Sequence, residues 1–361
     1  MSRSAIAYLS TENLLHNLNV IKKTAPKSQV IAMVKANAYG HGIRSVGLRL
    51  KDDVDLFGVA SIDEALILRK VGVTTPIILM EGVFEQQELY EASQNNFHVV
   101  FHSPHQIEWL NTIKLKTPLF SWLKVNTGLG RLGIPFDKTE EYYSILSRSQ
   151  NIFNPLRIMS HFSCSDVKDH RLNQHQILNF NKIVNSISTE YSFCNSGGIF
   201  SFPTEHHHFI RPGISLYGIS PFSNISAKEL NLKPVMTLKS SLIAIQNMQK
   251  GDAIGYGATY ICEENMPVGV VAFGYGDGYP ITAKSGTPLL INNTLCPIIG
   301  RVSMDMMMVD LRESQNPKIG DPVILWGENL PVEDVVKHTQ DITWNMLTSI
   351  QHRVKFIWDA F

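Results

Sequence analysis

Several side chains able to do chemistry stand at the ends of apolar runs in the first two thirds of this sequence. Lys35 closes the run Val30-Ile31-Ala32-Met33-Val34. An amine leaving a buried strand is poorly hydrated, which lowers its pKa and makes it a nucleophile able to form a Schiff base. A strand-end lysine reaching back to solvent fits the spacing equally well. Lys124 lies in a second such run, which continues into Thr127-Gly128-Leu129-Gly130-Arg131. His161 ends a third run. Asn195-Ser196-Gly197-Gly198 follows a fourth, and Arg211-Pro212-Gly213-Ile214 lies in a fifth. The last two segments could turn backbone N–H groups toward a phosphate, although each alone is an ordinary turn. Gathered in one place, these residues make a cationic pocket with a nucleophilic amine.

Gathering them requires a particular set of elements. The apolar runs are Val30–Asn37, Leu56–Ser61, Pro76–Glu81, His98–His102, Leu119–Val125, Leu156–Phe162, Tyr191–Asn195 and Phe209–Leu216. They are short and mostly not alternating, as expected of parallel strands covered on both faces. Helix signals lie between them. Ser61-Ile62-Asp63-Glu64 reads as a capping box, Ser103-Pro104 as a helix start, and Asp137-Lys138-Thr139-Glu140 as another. Ahead of the first run, residues 11–23 place Leu14, Leu15, Leu18 and Ile21 on one face. Eight strands each answered by a helix predict an α/β fold, a (β/α)8 TIM-type barrel; a doubly wound open sheet is the alternative. Active sites of such barrels lie where the strands end, which is where the residues above fall.

From about Asn231 onward the texture changes to short runs separated by turns such as Lys250-Gly251-Asp252 and Asn292-Asn293. This reads as a mostly β module, interrupted by one helical stretch at residues 332–337. The expected domains are therefore 1–230 for the barrel and 231–361 for the β-domain.

The chain has 361 residues, with 32 Lys plus Arg against 32 Asp plus Glu. A balanced charge provides no bulk field for nucleic acid or an anionic membrane. The four cysteines are scattered, without a C-x-x-C pair, which suits reduced thiols and a cytoplasmic setting. Residues 1–10 lack a secretory pattern, and no apolar run is long enough to span a bilayer.

Val34-Lys35-Ala36-Asn37-Ala38-Tyr39-Gly40-His41-Gly42 resembles the pyridoxal-phosphate lysine motif of the alanine racemase family. Matching segments follow in order: residues 124–133, Ser160-His161-Phe162, Asn195-Ser196-Gly197, Arg211-Pro212-Gly213-Ile214, Gly255-Tyr256-Gly257, residues 274–279 and Gly300-Arg301-Val302-Ser303-Met304-Asp305. They span both expected domains.

The resemblance implies an amino-acid racemase that interconverts L- and D-alanine, supplies D-alanine for peptidoglycan, and works as a homodimer with shared active sites. Lys35 would carry pyridoxal 5'-phosphate covalently and serve as the base for the D-enantiomer. Tyr256, from the partner subunit, would serve the L-enantiomer, its phenolate stabilised by positive charge from His161 and Arg211. Arg211 would bond the pyridine nitrogen. Tyr39, Asn195, Ser196, Gly213 and Ile214 would complete the cofactor site. Arg131 would face the substrate carboxylate and the cofactor's phenolic oxygen, oriented by a carbamylated Lys124. Met304 would offer its backbone N–H to the substrate, and Tyr275 would line the entrance.

Two departures from the family pattern stand out. Asn126 replaces the usual Asp, so a neutral amide would hold that loop. Trp344 stands where a tyrosine is common, replacing a hydroxyl by an indole N–H. Other pyridoxal-phosphate enzymes of this architecture are disfavoured: decarboxylases by Arg211, and periplasmic broad-specificity racemases by the missing signal. A carrier protein built on the barrel alone is disfavoured by the β-domain. Metal binding is not expected. Glu205-His206-His207-His208 reads as a surface turn, His98, His102 and His105 as residues around a helix cap, and residues 304–308, except for the backbone at Met304, as β-domain core.

Overall fold

The computed structural model describes residues 4–359. The chain packs as two compact units. One comprises Leu15–Leu216 with Ser220–Asn231; the other comprises the segment ending at Leu14, Tyr217–Ile219, and the chain from Leu232 onward.

The first unit is a closed parallel barrel. Its strands are Gln29–Met33, Leu56–Val59, Ile77–Leu79, Phe97–Phe101, Leu119–Asn126, Ile152–Met159, Tyr191–Ser192 and Phe209–Ile210. Each pairs in parallel with the next, and Phe209–Ile210 returns to Gln29–Met33 to close the ring. Every expected run supplies one strand. Side chains from alternate strand positions fill the lumen: Ile31, Met33, Ile78, Met80, Val100, Trp122, Met159 and Phe209 form one cluster. Trp122 meets Phe209 edge-on at 5.0 Å, and the Arg157 guanidinium lies 5.4 Å from each ring. The interior is thus a packed plug. Truncating Trp122 to alanine would cost about 3–5 kcal/mol.

The helix signals hold in position, with one change of role. Helix Ile62–Lys70 starts after Ser61, but the Ser61 side chain makes no capping bond. Glu64 reaches past it, accepting from Ala60 N–H at 2.9 Å and Asn37 N–H at 3.4 Å. The expected capping box is therefore a tie between two strand–helix loops.

The second unit is built on an antiparallel-rich sheet that contains Met236–Met248, Met266–Val271, Pro288–Ile291, Thr294–Ile299, Met307–Asp310 and Pro322–Trp326. Asn292 and Asn293, at φ 50° and 61°, make the two-residue hairpin turn between Pro288–Ile291 and Thr294–Ile299. Among the described residues two short α-helices follow these strands, Val332–Val336 and Thr343–Thr348; the second was not expected, being too brief for a helical period to show. The N-terminal strand Ile6–Leu9 also belongs here. It lies between Met236–Met248, antiparallel, and Lys355–Trp358, parallel. The expectation of 1–230 for the barrel placed this segment with the other unit, because a four-residue strand with distant partners carries no local signal. No helix of the described residues is long and apolar enough to cross a membrane.

Candidate active site

Lys35 follows the first barrel strand and opens a turn that the sequence did not foretell. Ala36, Asn37, Ala38 and Tyr39 all have φ between 51° and 56°, the left-handed region. Each non-glycine residue there costs roughly 1–2 kcal/mol. Hydrogen bonds offset this. Asn37 Oδ1 accepts from Ile43 N–H at 2.9 Å, Gly42 N–H donates to Asn37 O at 2.9 Å, and His41 Nδ1 bonds Tyr39 O at 2.9 Å. Such locally strained, over-determined backbone is typical of functional sites. The turn leaves Lys35 half-buried. It also sends Tyr39 to Gly213, where an added Cβ would fall on the tyrosine hydroxyl.

That contact marks a cradle. Ser196 Oγ accepts from Gly213 N–H at 2.9 Å, with Ser215 Oγ 3.0 Å away. Ile214 begins a short 3-10 turn, so its N–H has no partner within that turn. Burial raises the Tyr39 pKa to about 12 and keeps its hydroxyl a donor. Asn195 caps the adjacent helix, accepting from Gly198 N–H at 3.0 Å and from Ser165 Oγ at 2.7 Å. Ser215 joins the expected set; it lies two residues beyond Gly213, and nothing in its type singled it out.

Arg211 is almost fully buried. Its terminal nitrogens bond Ser192 Oγ, Ser160 O and Phe193 O (3.1 Å), and one lies 3.2 Å from His161 Nδ1. Its Nε has no partner among the described residues. A buried, unsatisfied charged donor is costly unless a ligand completes it. The orphaned Nε and the hydroxyl-and-amide cradle fit a pyridine nitrogen and a phosphate, the two ends of pyridoxal phosphate.

Positive charge crowds this pocket. Lys124 is pushed down to about 8, first by burial and then by Arg211, Arg131 and Lys35, with Glu81 opposing. His161 lies well below the usual imidazole range through burial, Arg211, Lys124, Arg131 and Lys35. It is therefore neutral at physiological pH. This runs against its expected part as a source of positive charge. Arg131 is exposed on its loop. Asn126 Oδ1 holds that loop by accepting from Gly128 N–H at 3.2 Å and Gly130 N–H at 3.0 Å, so the neutral amide does the work expected of it.

The second unit places its own candidates at the surface. Tyr256 is 71% exposed, on a turn whose Gly257 faces Arg301. Tyr275 and Met304 are exposed on loops bonded to each other, Tyr275 N–H to Ser303 O at 3.0 Å and Gly276 N–H to Met304 O at 2.8 Å. Trp344 is partly exposed on helix Thr343–Thr348.

The histidine and methionine clusters differ from expectation. Glu205 and His206 are buried rather than on a surface turn. His206 Nε2 bonds Ile199 O at 2.8 Å, His208 Nδ1 accepts from Tyr191 N–H at 3.1 Å, and His207 Nε2 lies 3.5 Å from Glu205. His98 is not at a cap: it stacks on Phe120 at 4.8 Å and accepts from Trp122 Nε1 at 3.4 Å, filling the barrel. Among residues 304–308 only Met307 lies fully in the core, while Met304 and Met306 are exposed.

A closed (β/α)8 barrel with a lysine, a hydroxyl-and-amide cradle and a buried arginine at its strand ends defines a class of barrel proteins with a cationic pocket suited to an anion. Family models narrow the class: "Alanine racemase, N-terminal domain" matches residues 9–221 and "Alanine racemase, C-terminal domain" matches 235–358. The chain belongs to the alanine racemase family, whose members are isomerases. It is 42% identical to an alanine racemase of Aeromonas hydrophila over 98% of both chains. It is 43% identical to one of Coxiella burnetii, again over 98% of both. The biosynthetic alanine racemase of Pseudomonas aeruginosa superposes with a TM-score of 0.96 at 37% identity, over 99% of this chain and 100% of that one.

Proposed function

We propose that this enzyme racemises alanine with pyridoxal 5'-phosphate, using Lys35 and Tyr256 as opposed bases. The observation that carries the reading is the orphaned Nε of Arg211, buried beside a cradle of Tyr39, Ser196, Gly213 and Ile214. When bound, the cofactor supplies an electron sink that acidifies the substrate Cα–H.

The residues of the chain do the rest. Lys35 Nζ takes or returns the proton on one face, and Tyr256 Oη, supplied by a partner subunit, does so on the other; inversion requires a base on each side. Arg211 can only donate, so it leaves the ring nitrogen unprotonated and the sink weak, which favours quick reprotonation over side reactions. Neutral His161, bonded to Arg211, orients that guanidinium. Arg131 and the Met304 N–H hold the substrate carboxylate, and Tyr275 narrows the approach so that small side chains are preferred. The exposure of Tyr256 supports the shared-site homodimer. The free thiols at all four cysteines suit a cytoplasmic enzyme. Supply of D-alanine for peptidoglycan is the corresponding role.

Lys124 is carbamylated in this reading. Burial and the neighbouring cations push its pKa down to about 8, so much more of its amine is neutral near pH 7 than in an ordinary lysine. Only the neutral amine adds carbon dioxide, and the resulting anion would orient Arg131. A mass increment lost on acidification is expected; a bare ammonium at high bicarbonate rules it out.

The deciding experiment loads the protein with pyridoxal phosphate, records the absorbance of the bound cofactor, and follows loss of optical rotation with L-alanine, L-serine and L-lysine. Racemisation led by alanine is expected. A loaded protein inert toward alanine refutes the reading.

A further inference from the structure

We propose that Arg353 is a positioning residue for the substrate, holding the Met304 peptide at the angle from which its N–H meets a carboxylate. The proposal rests on the reading above that this N–H is a substrate contact. Ser303 C=O and Met304 N–H belong to one trans peptide, so they point in opposite directions. The carbonyl accepts from Tyr275 N–H at 3.0 Å. The Met304 N–H therefore faces away from the Tyr275 turn, and it donates to no group among the described residues. It is an available donor whose direction is set by the turn beside it.

Arg353 locks that turn to the Met304 loop. Its Nε donates to Asp277 at 2.6 Å, and its Nη2 donates to Asp305 at 2.7 Å and to Met304 O at 3.4 Å. Asp277 is fully buried, and its second oxygen accepts from Gly274 N–H at 2.9 Å. One guanidinium thus spans both loops, with a carboxylate from each. The fit between them is close enough that a Cβ on Gly274 would overlap the backbone of Ser303 and Met304. Lysine keeps the charge in this position but has no fork, so it cannot hold both carboxylates and the carbonyl in one plane. Removing the charge altogether leaves the buried Asp277 carboxylate without the Arg353 guanidinium, which itself lies at the surface.

The holoenzyme tests this with Arg353→Lys and Arg353→Met. KM for L-alanine and the inhibition constant of propionate, a carboxylate without the amine, are expected to rise together, roughly tenfold for the lysine variant and more for methionine. The turnover number should change by less than about threefold, and the absorbance of the bound cofactor should not change. Arg353→Lys carries the test if Arg353→Met does not fold. An unchanged KM and propionate constant, with only the melting temperature lowered, overturns the proposal. Met304→Pro, which deletes the N–H, separates the two layers. If it leaves the propionate constant unchanged, the assignment of Met304 fails and the proposal with it. If it weakens propionate while Arg353→Lys does not, only the role of Arg353 falls.

Discussion

The barrel site and the β-unit site are built in opposite ways. In the barrel, chemistry comes from burial: Arg211, Lys124 and His161 crowd together, and their pKa values move down because water is excluded and, for Lys124 and His161, because like charges are close. In the β unit, Tyr256, Tyr275 and Met304 are exposed and their backbones are pinned by neighbouring loops. A buried site tunes its own groups before any ligand arrives. An exposed set of rigidly held groups acquires its electrostatic surroundings only when another surface covers it. The same reaction would thus draw one base from a preformed pocket and the other from a presented one.

The largest expected effect tests the preformed half. Lys35→Ala should abolish covalent cofactor capture and lower racemisation by at least about 1000-fold, read by borohydride trapping and polarimetry. Tyr256→Phe tests the presented half. It should slow L-to-D conversion by about 100-fold or more while leaving the cofactor spectrum intact. If it disturbs the spectrum as Lys35→Ala does, the two halves are not separable in the way described.

Acid stability sharpens the contrast. Burial holds His41 down at about 4 and His98 at about 3, both in the barrel unit. Their folded values lie below the unfolded value of about 6.5, so below that pH the unfolded chain binds protons that the folded one refuses. Their contribution is complete above about 6.5 and is lost as pH falls toward 4 and then 3, by up to about 1.4 kcal/mol per pH unit for each. Urea unfolding between pH 7 and 4.5 should show this slope, and His41→Asn should reduce it.

The smallest effect expected comes from Glu64→Ala, which unties the Lys35 turn from the second strand–helix loop. Turnover should fall about tenfold with a shift in the pH at which the cofactor absorbance titrates. Loss of thermal stability without that shift would reduce Glu64 to a structural tie.

The barrel was legible because each strand is a short apolar run and several of the helices between them carry a local start signal. Lys35, Arg131, Arg211 and the Ser196 and Gly213 segments were legible from their place at strand ends, sharpened by the family resemblance. What escaped was set by distant contacts. Ala36 and Ala38 favour right-handed helix, so residue type does not predict a left-handed turn; Asn37 and His41 brace it from within, and Glu64 ties it from the next strand–helix loop. His161 looks like a cation until its burial beside Arg211 is known. Ser192, which holds Arg211, is one serine among many.

The strand Ile6–Leu9 has a consequence for how its sheet assembles. Ile6 pairs with Lys239 and with Lys355, so its two partners lie far along the chain from it. A barrel assembled from successive local units can condense early, whereas this sheet must first close two long loops. A molecule caught before that closure would carry a formed barrel and an open β-sheet edge, the kind of edge that recruits other chains.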